Sequence, residues 1–395
     1  MKLAVNLILS FGMLALCVWL VWPDDRTYEA VKAGILALEW ADFAPYLFAF
    51  LLLQIVVHLC RSLRWNYLLA PLGVKIPAGP LLAISSVGFM AILALPARLG
   101  EFVRPGLLRK RGISASAALG TVAVERVVDG LLISLFVFGA CFSLRGPSAP
   151  GWMMPAAWTA LGVFTAALVF LIFALWRSEA TVRFCLKMSL LPRIAPRFAQ
   201  VVERKVLDII RGLVVLKDVR NMTMFLVWSL VYWSANGLGL WVLARAFYHI
   251  DPSFDLSLFG GFATMGLVAV GISLPNSPGL VGQFQAFTLL GLSLYIPGAS
   301  DKQAAVYTTA FAFANVQYIL QVLWYVGLGL LGLATPWVSL ADLKIARKGT
   351  EATPANGKPA SPVPAPEAAA EPLAGKKLAS PASGSDDAAD ATNPP

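Results

Sequence analysis

Histidine is nearly missing from this chain. Only His58 and His249 occur in 395 residues, so a histidine-built metal centre or a nucleophile–histidine triad has almost nothing to be made from. Cysteine is scarce too. Cys17, Cys60, Cys141 and Cys185 lie in or beside apolar runs without paired spacing, which gives neither a disulfide framework nor a zinc pattern and reads as small packed residues. Charge is the third shortage, at 13% of residues against about 25% in a soluble domain. The sequence also lacks a Walker loop, a carboxylate cluster at metal spacing, and a dinucleotide fingerprint in a strand–turn–helix setting. What fills the space is apolar: 58% of residues are hydrophobic, more than an aqueous fold can hide but suited to the outer faces of helices in a bilayer.

Apolar runs at about 3–22, 43–70, 114–144, 152–176, 222–247 and 302–334 each supply the roughly 20 residues that a helix needs to cross the hydrocarbon. The first run has only Lys2 before it and no clear small-residue cleavage site, so it reads as a retained helix rather than a signal peptide. Two shorter runs behave differently. Ser86 to Pro96 stops at Ala97-Arg98-Leu99-Gly100-Glu101, and Gly261 to Leu274 stops at Pro275-Asn276-Ser277-Pro278-Gly279-Leu280-Val281-Gly282. Matched Pro/Gly-interrupted segments in two halves of a membrane protein point to a transport site between inverted repeats, because irregular backbone at membrane depth survives only inside protein or along a wet cavity.

Lysine and arginine bias sets the expected orientation. The loop at about 177–220 carries ten basic residues, including Arg177, Lys187, Arg204 and Arg220, against Glu179, Glu203, Asp208 and Asp218, which places it in the cytoplasm. The acidic loop at 23–42, with Asp24, Asp25, Glu29, Glu39 and Asp42, falls outside. A complete crossing by 78–96 would put one of two basic clusters outside, either Arg61, Arg64 and Lys75 or Arg98, Arg104, Arg109, Lys110 and Arg111. Entry and exit on the cytoplasmic side avoids this, and 257–275 should enter from the outer face, flanked by Asp251, Asp255 and Asp301. The expected fold is an all-α polytopic membrane protein with about six full spans plus two re-entrant segments in inverted-repeat arrangement. The alternative is eight full spans, which breaks the charge rule.

A transmembrane domain over 1–337 is expected, with half-repeats of about 1–150 and 151–337. The segment 193–218 is amphipathic, with Phe198, Val202, Val206, Ile209, Leu213 and Leu216 at helical spacing. It suits either an interfacial helix on anionic lipid or a packed cytoplasmic helix. Residues 338–395 turn to Pro, Ala, Ser, Gly and Lys and read as a disordered cytoplasmic tail.

Charges within these apolar segments carry the functional expectation. Arg61 and Arg64 stand three apart on one helical face. Arg98, Glu101 and Arg104 follow the Pro96 break at a spacing that puts them on one stripe. Glu125, Arg126 and Asp129 lie inside the run 114–144, one to two turns deep. A charge at that depth costs a few kcal/mol or more, so such groups face the bundle interior and pair. Snorkelling arginines or a purely structural salt-bridge network are the bland readings. The surplus of guanidinium over carboxylate suits an anionic headgroup, since the guanidinium fork matches phosphate and a helix starting at a re-entrant break adds free N–H groups.

Four stretches carry a family likeness: Arg61-Ser62-Leu63-Arg64-Trp65-Asn66-Tyr67-Leu68-Leu69, Pro96-Ala97-Arg98-Leu99-Gly100-Glu101-Phe102-Val103-Arg104, Glu125-Arg126-Val127-Val128-Asp129 and Pro278-Gly279-Leu280-Val281-Gly282. In this order, over roughly residues 1–335, they resemble the lysylphosphatidylglycerol synthase transmembrane family, also called flippase-like, and the membrane half of the multiple peptide resistance factor. The resemblance implies a multi-pass bacterial inner-membrane protein, both termini cytoplasmic, that moves or handles anionic or aminoacylated lipids. It implies that Arg61, Arg64, Arg98, Glu101, Arg104, Glu125, Arg126 and Asp129 line the lipid route, with Pro96, Gly100, Pro275, Asn276, Pro278, Gly279, Gly282 and Gln285 in the re-entrant, gating segments.

Two departures qualify it. About 60 low-complexity residues stand where the full resistance factor carries a soluble aminoacyl-transferase domain, so lysyl transfer is not expected. The second Pro/Gly motif usually continues to a glutamate, whereas Gln285 stands here and carries neither charge nor proton. The leading expectation is a lipid transporter without enzymatic activity or cofactor, with membrane lipids as partners and no nucleic acid. Headgroup selection would fall at the first break and gating at the second. An accessory protein presenting a lipid or polyprenyl-phosphate sugar to a glycosyltransferase is the alternative. A membrane enzyme with Glu101 or Asp129 as base would lack a second positioned group.

Overall fold

The computed structural model describes residues 39–95, 100–143, 153–178, 212–273 and 277–339, with isolated positions between 25 and 32, at 151 and 182, and between 203 and 210. Within these residues the chain is helical, with ten α-helices and no strand. They are α1 (Trp40–Leu63), α2 (Trp65–Leu69), α3 (Ala78–Ala94), α4 (Val103–Leu107), α5 (Ala115–Ser143), α6 (Met153–Trp176), α7 (Val219–Ile250), α8 (Leu258–Ser273), α9 (Gln283–Ser293) and α10 (Ala305–Ala334). The expected run at 3–22, the tail at 338–395 from residue 340 on, and most of 193–218 lie outside the described residues.

Among the described residues four stretches are long and apolar enough to cross a membrane: Trp40–Leu72, Trp158–Trp176, Val219–Ile250 and Ala305–Ala334. They coincide with four of the expected spans. The fifth, α5, has 29 residues and carries Glu125, Arg126 and Asp129. The two short runs form shorter apolar helices, Ala78–Ala94 and Leu258–Ser273. At about 1.5 Å per residue their 17 and 16 residues reach some 25 Å, less than the roughly 30 Å hydrocarbon core.

Both short helices then turn back. Gly88 of α3 abuts the aliphatic stem of Arg104 in α4, and Gly100 abuts the Ala91 backbone. Pairing 88 with 104 and 91 with 100 requires two antiparallel legs. The second hairpin repeats this: Gly271 of α8 meets the Phe287 ring of α9, and a methyl on Gly291 would lie 2.6 Å from Cα of Thr264. The absence of side chains at these crossings lets each hairpin close without a gap.

The long helices show which way the hairpins point. On α10, Gly329 meets Met90 and Gly332 faces Ala83 and Val87, so α3 runs antiparallel along the C-terminal half of α10. Near its N-terminal half, Asn315 accepts from Gln285 and Tyr318 donates to the Gly279 carbonyl. The hairpins therefore enter from opposite ends of α10, and their tips meet in the middle, where Leu93 packs with Val268, Ile272, Leu280 and Phe284. Helices α1 and α7 pair antiparallel along their length, from Phe43 against Phe247 to Arg64 against Ser229. In the same exchanged manner, α5 supports the second hairpin, with Phe136 stacked on Phe262 at 5.2 Å and Val137 against Gly266.

Around this frame the entry to α7 is capped by Asp218, whose carboxylate accepts from the Asn221 backbone N–H at 3.0 Å and side-chain amide at 2.7 Å. These bonds, the backbone one first, hold its carboxyl below the usual carboxylate range. Just before it, Ile210, Leu213 and Val215 are buried, and Gly212 seats against Ala117 and Gly120 of α5. This end of the amphipathic segment packs on protein, in a 3₁₀ turn over Gly212–Lys217.

Candidate functional site

The charged residues at the end of α1 divide into two groups. Arg64 is fully buried. Its Nη1 donates to Asp129 Oδ1 at 2.7 Å and Ser229 Oγ at 2.8 Å, and its Nη2 donates to Asp129 Oδ2 at 2.7 Å and Glu125 Oε1 at 3.1 Å. Trp233 Nε1 adds a bond to Asp129 Oδ1 at 2.9 Å. Glu125 in turn faces Arg104, whose Nη1 stands 3.3 and 3.4 Å from its two oxygens. The spacing of Glu125 and Asp129, four apart on α5, puts both carboxylates on the face turned toward α1 and α7. Two guanidinium groups thus meet two carboxylates in a buried, neutral cage. Its fourth member is less completely satisfied: Arg104 leaves Nε and Nη2 without partners among the described residues, and its guanidinium lies 4.2 Å over the Trp65 ring and 4.9 Å over Phe89.

Arg61 and Arg126 face the other way. They line a cavity of about 680 Å³ between α1, α5, α7, α10 and the two hairpins. Arg61 donates to Tyr325 Oη at 2.9 Å and lies 4.0 Å over the Phe89 ring, and it makes no ion pair with a carboxylate among the described residues. Arg126 stands 3.3 Å from Glu101 Oε1, with side-chain exposures of 38% and 21%, and its Nε has no partner among the described residues. Among the described residues the wall therefore carries two cations and, besides Asp129, one carboxylate, Glu101. Asp129 also borders the cavity, but its charge is matched by Arg64. Most of the remaining lining is aliphatic or aromatic.

The residues expected at the site are thus brought to one place but not to one role. Arg61, Glu101 and Arg126 reach the cavity, Arg64, Arg104 and Glu125 form the cage behind it, and Asp129 belongs to both. Glu101 and Arg104, three apart, meet different partners: Glu101 is partly exposed beside Arg126, and Arg104 is buried against Glu125. Pro96, Arg98, Pro275 and Asn276 lie outside the described residues.

The second hairpin tip is built from amides. Its backbone takes left-handed conformations at Gly279, Leu280 and Gly282, with φ of 67°, 62° and 74°. At Leu280 this costs of order 1–3 kcal/mol that the surroundings must hold in place. Gln283, fully buried, accepts from the Ser277 N–H at 3.0 Å and donates to the Gly271 carbonyl at 2.7 Å. Gln285 accepts from the Gly282 N–H at 2.9 Å, the reciprocal half of a capping box. A neutral amide does here the positional work that a glutamate could do.

Sequence reasoning passed over the neutral polar residues of the cavity: Gln54, Asn236, Gln317, Gln321, Tyr232 and Tyr325. A signal existed in Gln317, Gln321 and Tyr325, spaced by four along an apolar span. Among the described residues, no group of three His, Cys, Asp or Glu side chains could hold a metal ion.

An all-α, multi-pass membrane protein with two opposed hairpins closing on a charged cavity is the class that fold and site define. A scan against protein families matches residues 4–324 to Lysylphosphatidylglycerol synthase TM region. The chain belongs to that family, and with it to proteins whose work concerns membrane lipids. No curated protein and no solved structure matched the chain.

Proposed function

We propose that this protein is a flippase-like transporter that moves an anionic or modified lipid between the leaflets of a bacterial inner membrane. The observation that carries this reading is the division among the arginines. Arg64 is neutralised in its cage, while Arg61, without a carboxylate partner among the described residues, stands with Arg126 on the wall of an otherwise largely apolar cavity. A phosphate there would take charge-assisted hydrogen bonds from two guanidinium groups. Glu101, paired with Arg126, would compete with the headgroup and allow it to leave. The opposed hairpins give the site two approaches, as alternating access at a repeat interface requires.

With the basic loops inside, the arginine end of the cavity faces the cytoplasmic leaflet and both termini are cytoplasmic. The repeats would be about 1–150 and 151–337. Loading and release, rather than bond chemistry, are the proposed work of these side chains, with no aminoacyl transfer.

Reconstitution tests it. Purified protein in phosphatidylcholine vesicles doped with labelled phosphatidylglycerol should accelerate its exchange between leaflets. Arg61→Ala and Arg126→Ala should each reduce that rate at least tenfold without loss of folded protein. Wild-type rates in both variants would overturn the proposal.

A further inference from the structure

The neutral polar side chains of the cavity form a band of their own. Arg61 marks one level of the bundle, with Tyr232 of α7 and Tyr325 of α10 beside it, ring centroids 5.9 and 5.7 Å from the guanidinium carbon. A second level is fixed by aromatic packing: Phe43 of α1, Phe247 of α7 and Phe313 of α10 meet there, with centroid separations of 5.8 and 5.4 Å. Between these levels lie Gln54 on α1, Asn236 on α7, and Gln317 and Gln321 on α10, all bordering the same cavity. At about 1.5 Å of rise per residue they stand roughly 6–12 Å from the arginine level.

These amides have unused hydrogen-bonding capacity. Gln54, Gln317 and Gln321 make no hydrogen bond to protein among the described residues. The Gln317 Oε1 is buried and without a partner among the described residues, on a residue only 6% exposed. Asn236 donates to the Tyr232 carbonyl at 3.2 Å and leaves its own oxygen free. Four amides facing a cavity inside a membrane protein are costly unless something in that cavity satisfies them. The glutamines at the second hairpin tip, Gln283 and Gln285, show the contrast, because each is bonded to backbone on both sides of its amide or to a further side chain.

We infer that this band is a subsite for an uncharged, hydroxyl-rich group attached to the lipid phosphate, a polyol or sugar. The inference rests on the reading that Arg61 and Arg126 hold the phosphate, and it names the class of headgroup. Amides both donate and accept, as hydroxyl groups do, and the Tyr232, Trp233 and Tyr325 rings border the same space. A cationic aminoacyl headgroup fits poorly. The two carboxylates on the wall, Glu101 and Asp129, are already engaged with Arg126 and Arg64, and the amide band offers an ammonium no compensating charge.

Equilibrium binding separates this from the transport reading. Purified full-length protein in mild detergent would be titrated with phosphatidylinositol, phosphatidylmethanol and lysylphosphatidylglycerol, with bound lipid read by native mass spectrometry. The first two are phosphodiesters of equal charge that differ in the polyol ring. Phosphatidylinositol should bind at least tenfold tighter than phosphatidylmethanol, and lysylphosphatidylglycerol more weakly than either. Gln317→Ala combined with Gln321→Ala should erase the preference by weakening phosphatidylinositol alone, and the half-buried Gln321→Ala alone should reduce it if the double variant misfolds. Arg61→Ala should weaken both phosphodiesters together. Equal binding of these two by wild-type protein, or tighter binding of lysylphosphatidylglycerol, overturns the inference. In the vesicle assay, binding preference without transport leaves the inference standing and removes the transporter reading, whereas transport without preference does the reverse.

Discussion

Arg61 and Arg64 leave the same end of α1 one helical turn apart, and their surroundings could hardly differ more. Arg64 is fully buried, bidentate to Asp129 and bonded to Glu125 and Ser229. Arg61 has a tyrosine hydroxyl and an aromatic face for company and borders an open cavity. The same residue type, three positions on, serves structure in one case and stands ready for a ligand in the other. The difference comes from the direction each side chain leaves the helix: one toward the carboxylates of α5, the other toward the space between the hairpins. The hairpin tips repeat the contrast. The first leads into Glu101 and Arg104, while the second is fastened by Gln283, Gln285 and Tyr318 to backbone groups.

The largest effect should come from breaking the cage. Arg64→Ala would leave Asp129 and Glu125 short of a partner in a dry setting, a loss of about 3–5 kcal/mol, visible as poor expression and a sharply lower unfolding temperature in detergent. Replacing both members of the bidentate pair, Arg64→Leu with Asp129→Leu, should recover most of that loss, since a buried ion pair exchanged for apolar groups is often near neutral. A double variant as unstable as the sum of the two single variants would show that the pair does not act as a unit.

On the cavity side, Arg126→Ala should cost under about 1 kcal/mol, because its pair with Glu101 is partly exposed, while lipid exchange falls at least tenfold. A stability loss comparable to that of Arg64→Ala would erase the distinction between cage and wall. The smallest effect is expected at the second tip. At a pH low enough to keep the introduced acid protonated, Gln285→Glu keeps the acceptor for the Gly282 N–H and loses a 3.4 Å bond to Asn315, so unfolding should shift by less than about 1 kcal/mol. A large shift would mean that Asn315 rather than the cap holds this turn.

Much of this architecture was legible in the sequence. The four apolar spans and the two interrupted segments stood out because length and hydropathy report directly on what a bilayer accepts, and basic loops predicted that the segments oppose each other. The charged cluster was legible as a cluster. Its division was not, because helical spacing places residues on faces without saying which neighbour each face meets. Arg98, Glu101 and Arg104 were expected on one stripe; Arg98 lies outside the described residues, and Glu101 and Arg104 meet different partners, Arg126 and Glu125. The amides of the cavity were missed for another reason: a glutamine in an apolar span has no charge to draw attention, and only the convergence of α1, α7 and α10 shows four of them facing one space. Gln285 had looked like the loss of an acid; in the fold it is a cap.

The most direct test of the division between cage and wall is the affinity of purified Arg61→Ala protein for phosphatidylglycerol, measured beside its unfolding temperature. If Arg61 holds the lipid phosphate, affinity falls at least tenfold in a protein that unfolds close to the wild-type temperature. Wild-type affinity in that variant would contradict it, because the cavity arginine would then not be what holds the lipid phosphate.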